Sequence, residues 1–167
     1  GNVDHRLRQR DFSDNADAPL FPYLGLPIRE LETLDAALLI GSNIRKDQPL
    51  LGLRLRKAFL RDAALFAVNP VDYGFSFDLK AKVIIDPAAM PAALARIARV
   101  LAESSGATLP SEVATLAGGT PSDAEQAIAT GLKAANSASV LVGHFAMAHP
   151  QAALLRLGLN GLRHAVG

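Results

Sequence analysis

The chain has 167 residues, of which 50% are hydrophobic and 20% are charged, and its formal net charge is +1. This composition predicts a packed globular domain and excludes an intrinsically disordered protein. The near-neutral charge argues against nucleic acid as a partner. The sequence contains no cysteine, which excludes disulfides and Cys-ligated zinc or iron–sulfur sites within it. No apolar run approaches the roughly 20 residues that cross a bilayer, so we expect no membrane span.

Residues 1–27 sustain no hydrophobic period, and turn-forming residues are frequent among them. We predict an irregular segment that packs against other parts of a longer protein. The chain starts with Gly1 and carries no apolar leader, so we interpret it as an excised internal piece. Residues 28–167 are predicted to form one domain.

The predicted elements of that domain alternate between strands and helices. A short helix after Pro27 precedes a predicted strand at residues 35–40, whose residues 36–40 form a continuous apolar run typical of a strand buried on both faces of a parallel sheet. Further strands are predicted at residues 64–68, 82–85 and 139–143, and helices at residues 50–61, after Pro87, after Pro121 and after Pro150. Residues 41–49 are predicted to form a loop and residues 105–120 a linker. The helix after the linker is predicted to begin with Thr120 as its N-cap.

Strands that are separated by helices need crossover connections, which favour parallel pairing. We therefore predict an α/β fold. Its form is a three-layer Rossmann-like parallel sheet of about four strands, flanked by helices.

Charge is distributed unevenly along the chain. Residues 45–61 hold six basic residues against the single acid Asp47, whereas residues 101–132 hold four acids and no Lys or Arg. Two oppositely charged faces would suit docking inside an assembly, while an ordinary solvated helix surface is the simpler explanation. Aromatic residues do not interleave with the basic ones. The basic residues are therefore better explained as the rim of a protein–protein contact than as a nucleic-acid-binding surface.

The most suggestive chemistry lies at the end of the first strand, at Gly41, Ser42 and Asn43. Open α/β sheets bind ligands beyond the carboxyl ends of their strands, and these residue types can approach and hydrogen-bond a phosphate or ribose. Asn69-Pro70 and Asp86-Pro87 end the next two strands and could line the same edge. Neither G-x-G-x-x-G nor G-x-x-x-x-G-K-[ST] is present, and turn residues at strand ends explain the same pattern.

The remaining polar residues give weaker signals. His144 and His149 flank the loop after the fourth strand, where we expect solvated histidines rather than metal ligands. Asp72 and Asp78 surround a Tyr-Gly turn, and paired-carboxylate chemistry or simple loop solubility accounts for them. No nucleophile stands in a G-x-S-x-G turn, so we predict no catalytic residue.

Three stretches carry a resemblance to a known family. They are residues 2–9 (NVDHRLRQ) with 11–12 (DF), residues 34–45 (LDAALLIGSNIR) with 49–51 and 54–58, and residues 140–143 (VLVG) with 149–150. Together they resemble the molybdopterin-oxidoreductase domain as it occurs in the large iron–sulfur subunit of bacterial NADH:quinone oxidoreductase, the NADH dehydrogenase of respiratory complex I. The first stretch is the one that points to complex I.

The resemblance implies a cofactor site that has lost its function. In cofactor-binding members, the glycine, serine and asparagine that match Gly41, Ser42 and Asn43 help to hold a guanine-dinucleotide molybdopterin. This chain has Asn69-Pro70-Val71 where those members tend to carry an acidic residue, proline and arginine, so a guanidinium clamp for phosphate is lost. The site is therefore expected to be vestigial.

The resemblance also implies a scaffold role without bound metal or cofactor in this chain. It places 4Fe–4S and 2Fe–2S clusters elsewhere in the parent chain. The implied partners are the other peripheral-arm subunits and the rest of the same chain, at the cytoplasmic face of the bacterial inner membrane.

Two alternatives stay open from the sequence. One is a molybdopterin guanine dinucleotide-binding module of a molybdenum oxidoreductase, and the other is a general nucleotide- or sugar-phosphate-binding domain. Binding of a guanine nucleotide at Gly41, Ser42 and Asn43 would favour the first alternative, and a full-length gene that starts near residue 1 would favour the second.

Overall fold

A parallel sheet of four strands organises the structure, a computed structural model that describes residues 11, 13–14 and 24–166. The strands are Ala36–Ile40 (β1), Ala64–Asn69 (β2), Ala81–Ile84 (β3) and Ala138–Val142 (β4). They lie in the order β3-β2-β1-β4, and every neighbouring pair is parallel. The predicted Rossmann-like α/β fold is confirmed. The predicted irregular segment falls mostly outside the described residues.

Helices cover both faces of the sheet. The α-helices of the described part are Ile44–Asp47 (α1), Pro49–Phe59 (α2), Met90–Ser105 (α3), Ser111–Leu116 (α4), Asp123–Lys133 (α5), His144–Met147 (α6) and Ala152–Val166 (α7). Shorter 3-10 helices cover Ile28–Thr33 and Pro87–Ala89. Among these helices, none combines the length and apolarity that a membrane crossing requires.

β1 divides the hydrophobic core into two layers because successive side chains of a strand point to opposite faces. All five of its residues are buried. Leu38 and Ile40 belong to the larger layer, which α3, α5 and α7 cover. Leu39 faces the smaller layer, which α2 and the 3-10 helix Ile28–Thr33 cover. This burial on both faces explains the continuous apolar run that marked β1 in the sequence.

The connection between β2 and β3 contains no helix. Residues 70–80 cross the sheet as a loop, and the rings of Phe75 and Phe77 stack in it with centroids 5.4 Å apart. Phe77 is buried in the smaller core layer together with Leu65. An aromatic loop therefore covers the part of the sheet that a crossover helix would ordinarily cover.

Two segments that were predicted as loops contain short helices. α1 lies within residues 41–49, and α4 lies within residues 105–120. Val113 and Ala117 of the α4 region are fully buried, so packing against the larger core layer stabilises a helix that is too short to show a periodic pattern.

The predicted N-cap of α5 is also wrong, by two residues. Ser122 caps the helix: its hydroxyl accepts the Glu125 N–H at 3.3 Å, and the Glu125 carboxylate accepts the Ser122 N–H at 2.7 Å. This reciprocal pair satisfies two free N–H groups, whereas the prediction had paired Thr120 as N-cap with Asp123 as the acidic N3 residue.

The described residues before position 24 bind the last helix. The Asp11 carboxylate accepts the Ala153 N–H of α7 at 2.9 Å, and Asp14 forms an ion pair with Arg156 at 2.5 Å. The hydrogen bond from Arg156 lowers the pKa of Asp14. Asp11 and Asp14 therefore contact their own domain, and the prediction that residues 1–27 pack against other parts of a longer protein stays a prediction.

A buried ion pair joins α3 to α5. Glu125 is 1% exposed, and Arg96 of α3 approaches its carboxylate with Nη2 at 2.6 Å and Nε at 3.1 Å and 3.2 Å. Burial raises the pKa of Glu125, but the hydrogen bonds from Arg96 and from the Ser122 backbone outweigh it, and the pKa is lowered overall. The carboxylate is thus both a helix cap and a cross-link between two helices.

The first prediction concerns Gly131, where α5 crosses β2. A Cβ at Gly131 would lie 2.2 Å from Cζ of Phe66, whose ring is fully buried. Alanine favours a helix over glycine by about 1 kcal/mol, but this clash forces repacking that costs about 1–3 kcal/mol. We expect Gly131→Ala to lower the free energy of unfolding, as measured by urea denaturation. Thr130→Ala, at the exposed neighbouring position, is the control. Equal stability of the two variants would contradict the expected clash.

The second prediction concerns the Arg96–Glu125 pair. Glu125→Gln leaves the Arg96 guanidinium without its charged partner, and we expect a loss of about 3 kcal/mol at neutral pH. Because the folded pKa of Glu125 lies below its unfolded value, the pair stabilises the fold above the unfolded pKa. That stabilisation is lost as pH falls through the folded pKa. The difference between wild type and Glu125→Gln should therefore shrink in acid.

The control for this experiment is Glu103→Gln. Glu103 faces Arg99 at 3.7 Å, and its side chain is 69% exposed. Exposed pairs contribute about 0–1 kcal/mol, so denaturation of this variant should resemble wild type. A similar small loss for both variants would refute a stabilising role for the buried pair.

Candidate functional site

The candidate site lies where the direction of the sheet order reverses. β1 has β2 on one side and β4 on the other. The connections that follow β1 and β4 lead to opposite faces of the sheet. After β1 the chain continues to α2, which covers the smaller core layer, and after β4 it continues to α6, whose Ala146 packs in the larger layer. In open parallel sheets, ligands bind in the crevice between two such diverging connections. The predicted residues Gly41, Ser42 and Asn43 lie at this point.

Two glycines bring the diverging loops into backbone contact. Gly41 has a φ of +54°, and a Cβ there would lie 2.6 Å from the Ala146 N atom. A Cβ at Gly143 would lie 2.3 Å from the Gly41 carbonyl oxygen. The Gly143 N–H donates to the Ile40 carbonyl at 2.8 Å, and the Phe145 N–H donates to the Gly41 carbonyl at 3.1 Å. The chain itself therefore closes the base of the crevice.

A buried asparagine from β2 binds the loop after β1. Asn69 Oδ1 accepts the Ser42 N–H at 2.8 Å, and Asn69 Nδ2 donates to the Ser42 carbonyl at 3.3 Å. Asn69 is 1% exposed and Ser42 is 2% exposed. The Ser42 backbone is therefore fully engaged by protein. The sequence predicted that Asn69 would share the edge with Ser42, but not that its amide would mimic a neighbouring backbone.

A cleft of about 420 Å³ opens beside the closed base; its size is within about 300–1,000 Å³, the usual range for small-molecule sites. Its lining comes from both diverging connections: Asp47, Gln48, Val142, Gly143, His144 and Met147. Asn43 lies just before α1 in the chain and is half-buried. Its side chain makes no capping hydrogen bond to α1. The cleft thus presents one carboxylate and one imidazole.

The two histidines after β4 occupy different environments. His144 is exposed and lines the cleft. His149 is only 3% exposed, so the expectation of solvated loop histidines is wrong for it. Its Nδ1 accepts the Gln151 N–H at 3.0 Å, and its Nε2 lies 3.1 Å from the Pro87 carbonyl oxygen. His149 therefore ties the start of α7 to the connection after β3.

The other predicted polar residues serve local structure. The Asp86 carboxylate accepts the Ala88 N–H at 2.8 Å and caps the 3-10 helix Pro87–Ala89. Asp72 pairs with Lys82 at 2.6 Å, both being exposed, so loop stability accounts for that acid. In the described part of the chain, no three His, Asp or Glu side chains are grouped to hold a metal ion.

The basic stretch is neutralised in part. Glu32 of the 3-10 helix Ile28–Thr33 pairs with Arg54 and, at 3.0 Å, with Lys57. Arg61 donates to the Glu32 carbonyl at 3.4 Å. Part of the predicted basic face therefore fastens that 3-10 helix to α2.

The parallel sheet and its reversal point define a Rossmann-like α/β domain; in folds of this class, ligands bind beyond the carboxyl ends of the strands. Residues 8–162 match the family model described as molybdopterin oxidoreductase. The chain belongs to this family, and the resemblance noted in the sequence is confirmed at that level. A search of curated proteins returns no match.

The third prediction tests the lock between Asn69 and Ser42. Asn69→Ala leaves the buried N–H and carbonyl of Ser42 without partners, which costs about 1–3 kcal/mol. We expect the free energy of unfolding to fall by that amount and the Ser42 amide to exchange its hydrogen faster. Asn43→Ala is the matched control, because the Asn43 side chain makes no cap bond, and it should leave both measurements near wild type. If both variants behaved alike, the proposed lock would have no measurable role.

Proposed function

We propose that this chain is a structural domain of the large iron–sulfur subunit of a bacterial NADH:quinone oxidoreductase. In this role the domain keeps the molybdopterin-oxidoreductase fold and carries no cofactor of its own. The parent enzyme would transfer electrons from NADH to quinone through 4Fe–4S and 2Fe–2S clusters elsewhere in its chain. The family membership and the complex I-like stretch at residues 2–9 support this assignment.

The observation that carries the proposal is the contact between Gly41 and the connection after β4. A guanine-dinucleotide cofactor needs backbone groups of the loop after β1 to be accessible. Here Gly41 packs against Ala146, its carbonyl accepts the Phe145 N–H, and the Ser42 N–H binds Asn69. The backbone N–H groups of Gly41 and Ser42 are thus bonded within the protein and are not available to a cofactor, so this part of the loop does not fit it.

The charges near the loop support the same proposal. The neighbouring cleft exposes the Asp47 carboxylate, which repels a pyrophosphate. Val71 stands, by the family resemblance, where cofactor-binding members carry arginine, and it is 51% exposed with no charge to offer. We therefore propose that Gly41, Ser42 and Asn43 are a vestigial site and that the domain performs no catalysis.

Partners and location follow from the proposal. The domain would pack against other peripheral-arm subunits and the rest of its own chain, at the cytoplasmic face of the bacterial inner membrane. It would bind no nucleic acid and have no span of its own in the membrane.

The alternative is a molybdopterin guanine dinucleotide-binding module of a molybdenum oxidoreductase. The family match and the cleft of about 420 Å³ at the reversal point favour it, because such clefts are the usual ligand sites of α/β sheets. A general nucleotide-binding domain would use the same cleft.

The fourth prediction separates these functions by titrating the ¹⁵N-labelled chain with GDP. The scaffold role predicts no saturable shifts of the Gly41, Ser42 and Asn43 amides up to millimolar GDP, because the Gly41 and Ser42 N–H groups are already bonded to Val68 and Asn69. Saturable shifts that Asn43→Ala weakens would refute the scaffold role and support a cofactor module. Shifts confined to residues outside the loop and cleft would leave the predicted site unused, as the scaffold role expects.

The assignment to complex I has a separate test. The gene that encodes the chain should also encode clustered cysteines that can ligate iron–sulfur clusters. An encoded protein without such cysteines would refute the complex I assignment and leave the family membership intact.

A further inference from the structure

The outward face of α2 exposes a line of leucines. Leu50 is 71% exposed, Leu53 is 51% exposed and Leu60, just after the helix, is 70% exposed. With Lys57 they follow the spacing i, i+3, i+7 and i+10, so these four residues lie along one side of the helix. We call Leu50, Leu53, Lys57 and Leu60 the α2 seam.

The fold does not need the α2 seam. The opposite side of α2 buries Gly52, Leu55 and Ala58 against the smaller core layer. Polar residues at the exposed positions would serve the domain equally well, and single exposed apolar residues carry little meaning. Several large ones aligned on one helix are characteristic of an interaction surface.

The charge around the α2 seam indicates the chemistry of its partner. Arg45, Lys46 and Arg56 are exposed. In the part of the chain that the structure describes, no acidic side chain forms an ion pair with these three. Arg54 and Lys57, by contrast, share Glu32. Within the described residues, positive charge without an ion-pair partner therefore lies on α2 itself (Arg56) and on α1, which contacts α2 (Arg45 and Lys46). The complementary surface is an apolar stripe flanked by carboxylates.

We infer that the α2 seam binds an amphipathic helix of another protein whose leucine-type stripe is bordered by Asp and Glu. Alternating steps of three and four residues match the narrow stripe along which two helices pack. The inference deepens the scaffold role proposed above and rests on it, because a scaffold acts by contacting other proteins.

A membrane surface fits the α2 seam less well. Interfacial helices present a wide apolar face, often with aromatic anchors. α2 has 11 residues, and its aromatic residue Phe59 is half-buried toward the smaller core layer. The narrow stripe is suited to another helix.

A second copy of this chain also fits poorly. Its acids on α4 and α5, Glu112 and Asp123, would supply the charge. The large apolar residues that are exposed in the described part include none from α3, α4 or α5. The acidic region therefore lacks the matching apolar stripe.

The fifth prediction is tested with two synthetic helical peptides that share one leucine stripe, flanked by Glu in the first and by Lys in the second. Each is titrated into the whole ¹⁵N-labelled chain. We expect the Glu peptide to shift the amides of α2 in a saturable way and to bind at least tenfold tighter than the Lys peptide. Raising the salt concentration should weaken the binding of the Glu peptide, because exposed charges are screened.

Variants place the contact on the α2 seam. Leu53→Glu should lower the affinity of the chain for the Glu peptide at least tenfold. Arg56→Glu should reduce the preference of the chain for the Glu peptide over the Lys peptide. Ile84→Glu is the control, because Ile84 is an apolar residue that is 42% exposed on the edge strand β3, outside α2, and this variant should leave binding unchanged.

Three results would overturn the inference: equal affinity for both peptides, no shift in α2 at millimolar peptide, or Leu53-dependent binding to anionic phosphatidylglycerol vesicles instead. Self-association that Leu53→Glu abolishes, measured by sedimentation, would overturn it in favour of a second copy. Failure of the scaffold role itself is seen elsewhere, as GDP-dependent shifts at Gly41, Ser42 and Asn43, so the two failures are distinguishable.

Discussion

The contact between the ends of β1 and β4 is the constraint on which the rest of the structure depends. A parallel sheet brings both strand ends to one edge, and the absence of side chains at Gly41 and Gly143 lets the two backbones touch there. Asn69 then completes the contact from β2 by bonding both polar groups of the Ser42 backbone. Three strands are thereby joined at the one place where a sheet of this class is normally open to a ligand.

Small residues also allow close packing in the helices that cover the larger core layer. Gly131 lets α5 lie directly on Phe66 of β2, and Gly161 of α7 sits where a Cβ would come within 2.9 Å of Val113. Close approach leaves little room for polar groups, and the buried carboxylate of Glu125 is neutralised by Arg96. Only 5% of the residues are aromatic. The core is therefore filled by bringing helices and strands close together rather than by bulky side chains.

Much of the fold could be predicted from the sequence, because the strongest patterns were those that burial imposes. β1 is buried on both faces and left a continuous apolar run, and the parallel pairing of the strands, though not their order in the sheet, followed from the helices between them. α4 was missed since six residues hold no full period, and its stability comes from Val113 contacting distant residues. Tertiary packing of this kind has no local signature.

The sequence indicated which residues meet at the candidate site, but not the contacts that they make there. Gly41, Ser42 and Asn43 were recognisable as strand-end residues, and Asn69 as a neighbour on the same edge. Their availability depends on Gly143 and Ala146, which follow about 100 residues later and carry no chemical signal of their own. Likewise, the burial of His149 depends on Pro87, a partner 62 residues away in sequence.

The position of β4 also dictates the order in which the molecule can assemble. β1, β2 and β3 lie within residues 36–84 and can pair as soon as that stretch of chain exists. β4 can join β1 only after residues 85–137 have been made. The Asp35 carboxylate holds the start of β4 by accepting the N–H groups of Asn136 and Ser137, which lie 101 and 102 residues away in sequence. Long loops close slowly and late. The strand edge of β1 that awaits β4 is therefore the surface most exposed to mispairing during synthesis, and the last strand to arrive is the one that shuts the crevice.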